Sequence, residues 1–143
     1  MIERTLVVVK PDGVRRNLVD KIIKRYEKEG LKVVQKKIMR ADSALLRQHY
    51  SAHVAKPFYK GLEKFMSSGP VVAVILEGKD AVAHVRKITG ATDPSKAEKG
   101  TIRGDVGTDS LDKADREGRA IENLVHASGT KEEADKEIML WFG

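Results

Sequence analysis

Val71-Val-Ala-Val-Ile-Leu76 is an unbroken apolar run that follows the chain break Gly69-Pro70. It is far shorter than the roughly 20 apolar residues that cross a bilayer, and its β-branched content predicts a strand buried inside a fold. Downstream, Asp80 is placed to cap a helix that turns Ala81, Val82, Val85 and Ile88 inward and stops at Gly90. Upstream, Pro57 opens a short helix through Met66, and Asp42 caps another with Leu45, Leu46, His49, Tyr50 and His53 on one side. Leu31 to Met39 has the composition of a strand, with Lys32, Lys36 and Lys37 leaving one face or end wet.

The N-terminal part repeats this logic. Thr5-Leu-Val-Val-Val9 reads as a strand buried on both faces, stopped by Pro11-Asp12-Gly13. Asn17 then caps a helix with Leu18, Val19, Ile22, Ile23 and Tyr26 along one stripe, and Gly30 sits where a left-handed residue ends a helix. From Ala91 to Arg119 the apolar periodicity vanishes, as in a functional or disordered loop. Ile121 to Ala127 reads as a last strand, and Thr130 with Glu133 has capping-box spacing ahead of a helix bearing Ala134, Ile138 and Trp141.

The order β-α-β-(αα)-β-α-loop-β-α predicts an α+β fold. It fits a ferredoxin-like sandwich, a four-stranded antiparallel sheet with helices packed on one face. All of residues 1–143 are expected to form one domain, a length that buries a core without metal or disulfide staples. The absence of cysteine rules out disulfides, thiolate metal sites and a cysteine nucleophile, and fits a reducing compartment. The first residues carry no secretory signal pattern, so the expected location is cytoplasmic, without a membrane anchor. Lys and Arg outnumber Asp and Glu by 27 to 21, a net charge of +6 that favours anionic partners. Nucleic acid is not expected as the main ligand, because three Phe, three Tyr and one Trp lie scattered along the chain.

Neither G-x-x-x-x-G-K-[ST] nor G-x-G-x-x-G is present, so a phosphate site must be built otherwise. Gly100-Thr-Ile-Arg-Gly-Asp105 is either an ordinary turn or, with Arg86 and Thr92, an anion cradle in which arginine grips phosphate oxygens in pairs. Lys10, at the rim of the first strand, is either a further cation for that cradle or a solvated strand end. His49 and His53 stand at helical spacing but lack the glutamate of zinc proteases, which disfavours a metal site there, and His84 reads as a surface residue. His126 ends a strand and is followed by small residues, Ala127-Ser-Gly-Thr130. It is open to two readings, a structural histidine and a nucleophile. A neutral imidazole attacks when one nitrogen is bare and the other is held, and Ser128 and Glu137 are natural holders. The residues alone do not say which nitrogen attacks.

The chain resembles the nucleoside diphosphate kinase family over nearly its whole length. The resemblance rests on R-T-L-V-V-V-K-P-D-G-V (Arg4 to Val14), H-Y-S-A-H with K-P-F-Y (His49 to Tyr59), S-G-P-V-V-A-V-I-L-E-G (Ser68 to Gly78), G-A-T-D-P (Gly90 to Pro94), G-T-I-R-G-D (Gly100 to Asp105) and N-L-V-H-A-S (Asn123 to Ser128). It implies ping-pong transfer of a terminal phosphate through His126, supported by Ser128 and Glu137. Lys10, Arg86, Thr92 and Arg103 would hold the phosphates of nucleoside di- and triphosphates, with Tyr50 near the terminal one. Lys10 and Asn123 would meet the sugar hydroxyls, and Phe58 would form one side of a stacking slot tolerant of base identity. Mg²⁺ would ride on the nucleotide phosphates, with no protein ligands of its own.

Three departures stand out. The chain is longer than the family pattern between Arg103 and Asn123, through Thr108 to Gly118. Ser128-Gly-Thr130 replaces the family's more usual Ser-Asp-Ser. The chain ends at Trp141-Phe-Gly143 without the tail that strengthens subunit contacts in some relatives. A homo-oligomer is expected, with the hexamer favoured by family habit and a tetramer or dimer also compatible. Two rival readings are a non-enzymatic nucleotide-binding module of the same fold and a single-stranded nucleic acid binder. The latter would need aromatics on the central strands, which Thr5 to Val9 and Val71 to Leu76 lack.

Overall fold

The computed structural model describes all of residues 1–143. Strands β1 (Ile2–Val9), β2 (Lys32–Met39), β3 (Val71–Lys79) and β4 (Val125–Ala127) form one sheet in the order β2-β3-β1-β4, every neighbouring pair antiparallel. Helices α1 (Pro11–Arg15) and α2 (Val19–Lys28) join β1 to β2, and α3 (Ser43–His49) and α4 (Tyr59–Met66) join β2 to β3. Helix α5 (Ala81–Thr89) follows β3, α6 (Ile102–Val106) and α7 (Leu111–Arg116) precede β4, and α8 (Lys131–Phe142) closes the chain.

The two apolar runs pair with each other in the middle of the sheet, Leu6 opposite Ile75 and Val8 opposite Ala73. Their side chains alternate between faces, and both faces are apolar, so both must be covered. Val7, Val9, Val72 and Val74 pack beneath Ile22, Tyr26, Val85 and Ile88 of α2 and α5. Leu6, Val8, Val71 and Ala73 pack against Leu46, Met66 and Trp141 of α3, α4 and α8. The sheet is thus clad on two sides, where the sequence pattern predicted helices on one. Strand β2 lies at an edge, bulged between Val33 and Gln35 and exposed along most of its length, with Ile38 71% exposed.

Several local expectations change. Asn17 does not cap α2: it takes φ 57, a left-handed turn that a short polar residue tolerates, and the N-cap position falls to Leu18. Asp80 is also left-handed, at φ 47, and makes no capping bond. Glu3 of β1 supplies the cap instead, its Oε1 accepting from Val82 N at 3.2 Å. Residues 91–119 are not structureless: a 3₁₀ turn at Pro94–Lys96, α6 and α7 occupy them, each too short to show a periodicity. The last strand begins at Val125 rather than Ile121, because Leu124 stands at φ 75 and breaks the ladder. Asp42 and Thr130 do cap their helices, and Gly90 ends α5 at φ 93 as expected, since any other residue would be strained there.

Candidate active site

Strand β4 brings His126 opposite Val8 on β1, which puts the imidazole on the sheet face covered by α3 and α8. The strand is held in place from outside the ladder. Asp12, 2% exposed on α1, accepts from Leu124 N at 3.0 Å through Oδ2, while Lys10 N donates to Leu124 O at 2.8 Å. Gly13 lets that carbonyl approach, since a Cβ there would sit 3.0 Å from Leu124 O and 2.8 Å from Val9 Cγ1. Pro11-Asp12-Gly13, read from sequence as a strand stop, therefore also grips the left-handed kink two residues before His126.

Beside the imidazole, Glu137 Oε1 accepts two bonds: His126 Nε2 lies at 2.8 Å and the Ser128 hydroxyl donates at 2.7 Å. Burial pushes the Glu137 carboxyl up. The His126 hydrogen bond and the nearby imidazoles and hydroxyl outweigh that effect and leave its pKa below the ordinary value. An ionised Glu137 keeps the proton of a neutral His126 on Nε2, so the lone pair is on Nδ1. His49 stacks edge-on against His126 with centroids 4.5 Å apart, and its own Nδ1 accepts from Trp141 Nε1 at 3.0 Å. Burial and the neighbouring His126 pull the His49 pKa down to about 3, so that ring stays neutral.

His49, His126 and Glu137 lie close enough to suggest a metal site. The bond from Trp141 occupies the Nδ1 lone pair of His49 and leaves its proton on Nε2, so neither nitrogen offers a free lone pair, which does not suit a metal ion.

His126 opens into a cavity of about 880 Å³. Of the residues singled out from sequence, Lys10, Tyr50, Arg86, Thr92, Arg103, Asn123 and Glu137 line it with His126. Ser128 is fully buried beneath it, supporting Glu137. Phe58 is 53% exposed and outside the lining, its ring 5.5 Å from that of His53, which does line the cavity. Burial raises the Tyr50 hydroxyl pKa, with Glu137 adding to the effect, so the phenol keeps its proton.

The cations are unevenly tied. Lys10 Nζ donates to Asn123 Oδ1 at 2.8 Å, and Asn123 Nδ2 donates to Thr92 O at 3.0 Å. Burial and the Arg103 charge, against Asp12, bring the Lys10 pKa down to about 8. Arg103 donates to three backbone carbonyls, Asn123 O at 3.1 Å, Gly90 O at 3.1 Å and Val125 O at 2.5 Å. A guanidinium has five N–H donors, so two remain for a ligand. Burial draws its pKa to about 10. Arg86 makes no ion pair.

Sequence reading gave no role in the cavity to His53. His53 was weighed only as half of a zinc pair, yet its Nδ1 is buried without a hydrogen-bond partner at the cavity wall. Its four-residue spacing from His49 was the available signal. The bare Nδ1 of His126, among cations that make no ion pair, is chemically suited to accepting a phosphoryl group from a polyphosphate.

Comparison with known proteins points the same way. A family model described as nucleoside diphosphate kinase matches residues 3–143. The chain is 50% identical to a nucleoside diphosphate kinase of Cyanothece over 141 residues, covering 99% of this chain and 88% of that one. It is 49% identical to that of Saccharomyces cerevisiae over 140 residues, covering 98% and 85%. Among solved structures, it superposes on a transition-state mimic of the Borrelia burgdorferi nucleoside-diphosphate kinase with bound vanadate and ADP. The TM-score is 0.94 at 38% identity, covering 99% of this chain and 88% of that one. A Halobacterium salinarum nucleoside diphosphate kinase in complex with CDP gives a TM-score of 0.87 at 46% identity, covering 99% and 88%. With a family model matched from Glu3 to Gly143 and relatives near 50% identical over nearly the whole length, the chain belongs to the nucleoside diphosphate kinase family.

Proposed function

We propose that this nucleoside diphosphate kinase works by ping-pong transfer through Nδ1 of His126. In the first half-reaction Nδ1 attacks the terminal phosphorus of a nucleoside triphosphate, the N–P bond forms, and the bond to the bridging oxygen breaks, releasing the diphosphate. In the second, a terminal oxygen of another diphosphate attacks the same phosphorus and the N–P bond breaks. The observation that carries this reading is the His126–Glu137 contact, which leaves Nδ1 bare at a cation-lined cavity.

Attack by a neutral ring leaves positive charge on the imidazole, and the Glu137 carboxylate lies against Nε2 where it stabilises that charge. Ser128 fixes the carboxylate. Lys10, Arg86, Thr92 and Arg103 hold the phosphates, with Tyr50 near the terminal one and a ring N–H of His53 offered to a phosphate oxygen. Lys10 and Asn123 meet the sugar hydroxyls, and Phe58 offers a face to the base. The cavity carries cations and few carboxylates, which fits Mg²⁺ held by phosphate oxygens, where it neutralises developing charge.

The reading extends to residues 1–143 acting as one domain, in a homo-oligomer with the hexamer favoured. The open edge at β2 and exposed Ile38 support association. A cytoplasmic location goes with it, supported by a chain free of cysteine; cell fractionation checks it.

The test is incubation with ATP and Mg²⁺ alone, followed by detection of acid-labile phosphate. The expected result is phosphate on His126, lost in His126→Ala together with nucleotide exchange while circular dichroism is retained. Exchange persisting in that variant contradicts the proposal, and ATP binding without any phosphohistidine indicates a non-enzymatic module.

A further inference from the structure

Between α6 and β4 the chain folds into α7 and a turn in which Arg119 is the hub of three ion pairs, with Asp109, with Glu117 at 2.9 Å and with Glu122 at 3.9 Å. Arg119 Nη1 and Nη2 donate to Asp109 Oδ2 and Oδ1 at 2.7 and 2.9 Å, a two-pronged fork. Asp109 is 8% exposed, and the Arg119 hydrogen bonds hold its carboxyl far below the usual range, so the pair stays charged. Each partner also holds the backbone that follows. Arg119 Nη1 donates to Ala120 O at 3.1 Å, and Asp109 Oδ2 accepts from Glu122 N at 2.8 Å.

These bonds matter because of what the segment lacks. No backbone-to-backbone hydrogen bond reaches Ala120, Ile121 or Glu122, and β4 begins only at Val125. The next residue, Asn123, links Lys10 to Thr92 across the cavity. On the other side the segment meets α4, where a Cβ on Gly61 would sit 3.8 Å from Ala120 N.

We propose that the Asp109–Arg119 pair is a positioning brace for the nucleotide site: it fixes residues 120–122 so that Asn123 is already joined to Lys10 when a nucleoside diphosphate arrives. Neither residue touches the ligand. Order in the free protein removes an entropic cost from binding, so the brace acts on affinity rather than on the chemical step. The inference rests on the proposed kinase reading only for the identity of the ligand.

The experiment compares the full-length protein with Asp109→Ala and Asp109→Asn. ADP affinity is measured by calorimetry, KM and kcat by nucleotide exchange, and Tm by melting. Asp109→Ala is expected to weaken ADP binding and raise KM on the order of tenfold, with kcat changed less than about threefold. Asp109→Asn keeps an oxygen for Glu122 N and loses about threefold, which also covers the case of an Ala variant that fails to fold. A merely structural role lowers Tm and leaves ADP affinity of the folded protein within about twofold of the parent, and that result overturns the brace. A parent that binds ADP but exchanges no phosphate refutes the kinase reading while the affinities still judge the brace; a parent that binds no ADP refutes both.

Discussion

Replacing Glu137 with Gln tests the nucleophile's support without changing its shape. The carboxylate accepts two bonds through one oxygen, from His126 at 2.8 Å and Ser128 at 2.7 Å, and its side chain is 11% exposed. An amide oxygen can still accept both, but without charge. A hydrogen bond to a charged group contributes roughly 1.5–3 kcal/mol against about 1 for a neutral one. The His126 contact therefore loses about 0.5–2 kcal/mol as the ring becomes cationic, a roughly 2.5- to 30-fold slowing of phosphorylation. The folded state gives up a buried charge at the same time, so Tm is expected to move by no more than about 3 °C. Single-turnover formation of acid-labile phosphate from ATP reads the rate directly. A rate within about twofold of the parent refutes the role assigned to this carboxylate.

Lys10 makes activity depend on pH, with kcat/KM falling as pH rises through about 8, where its ammonium loses the proton that attracts phosphate. In the unfolded chain the same group titrates near 10.5, so the unfolded state holds more protons between about 8 and 10.5 and stability rises across that window. Activity that stays flat to pH 10.5 while the protein remains folded refutes this reading of Lys10. At the open edge, Ile38→Glu is expected to lower the mass measured by light scattering, since a charge replaces an apolar contact between copies. A parent protein that is monomeric at micromolar concentration contradicts the proposed assembly.

Much of the fold was legible because β1 and β3 are apolar enough to leave no choice but burial, and because Asp42, Thr130, Gly30 and Gly90 mark their helix ends by simple rules. The failures share a cause. Asn17 and Asp80 have the side chains of caps but sit in left-handed turns, and a distant residue, Glu3, supplies the bond that Asp80 does not. Residues 121–124 have strand composition yet are held by the side chains of Asp109, Arg103 and Asp12, which no local pattern reveals. At the site, the small residues after His126 made it a candidate. The proposed choice of nitrogen rests on the position of Glu137, which no local pattern fixes, and His53 was read only through its spacing from His49.

Arg103 joins two duties in one guanidinium. Its three bonds to carbonyls tie the end of α5 to the approach of β4, and the same residue lines the cavity. Lysine, with a tetrahedral ammonium on a single point, cannot span three such separated acceptors. On the proposed reading of the site, softening the grip on polyphosphate at this position would unfasten the wall of the cleft as well, so affinity is better tuned at Arg86 or Thr92, whose side chains anchor nothing else.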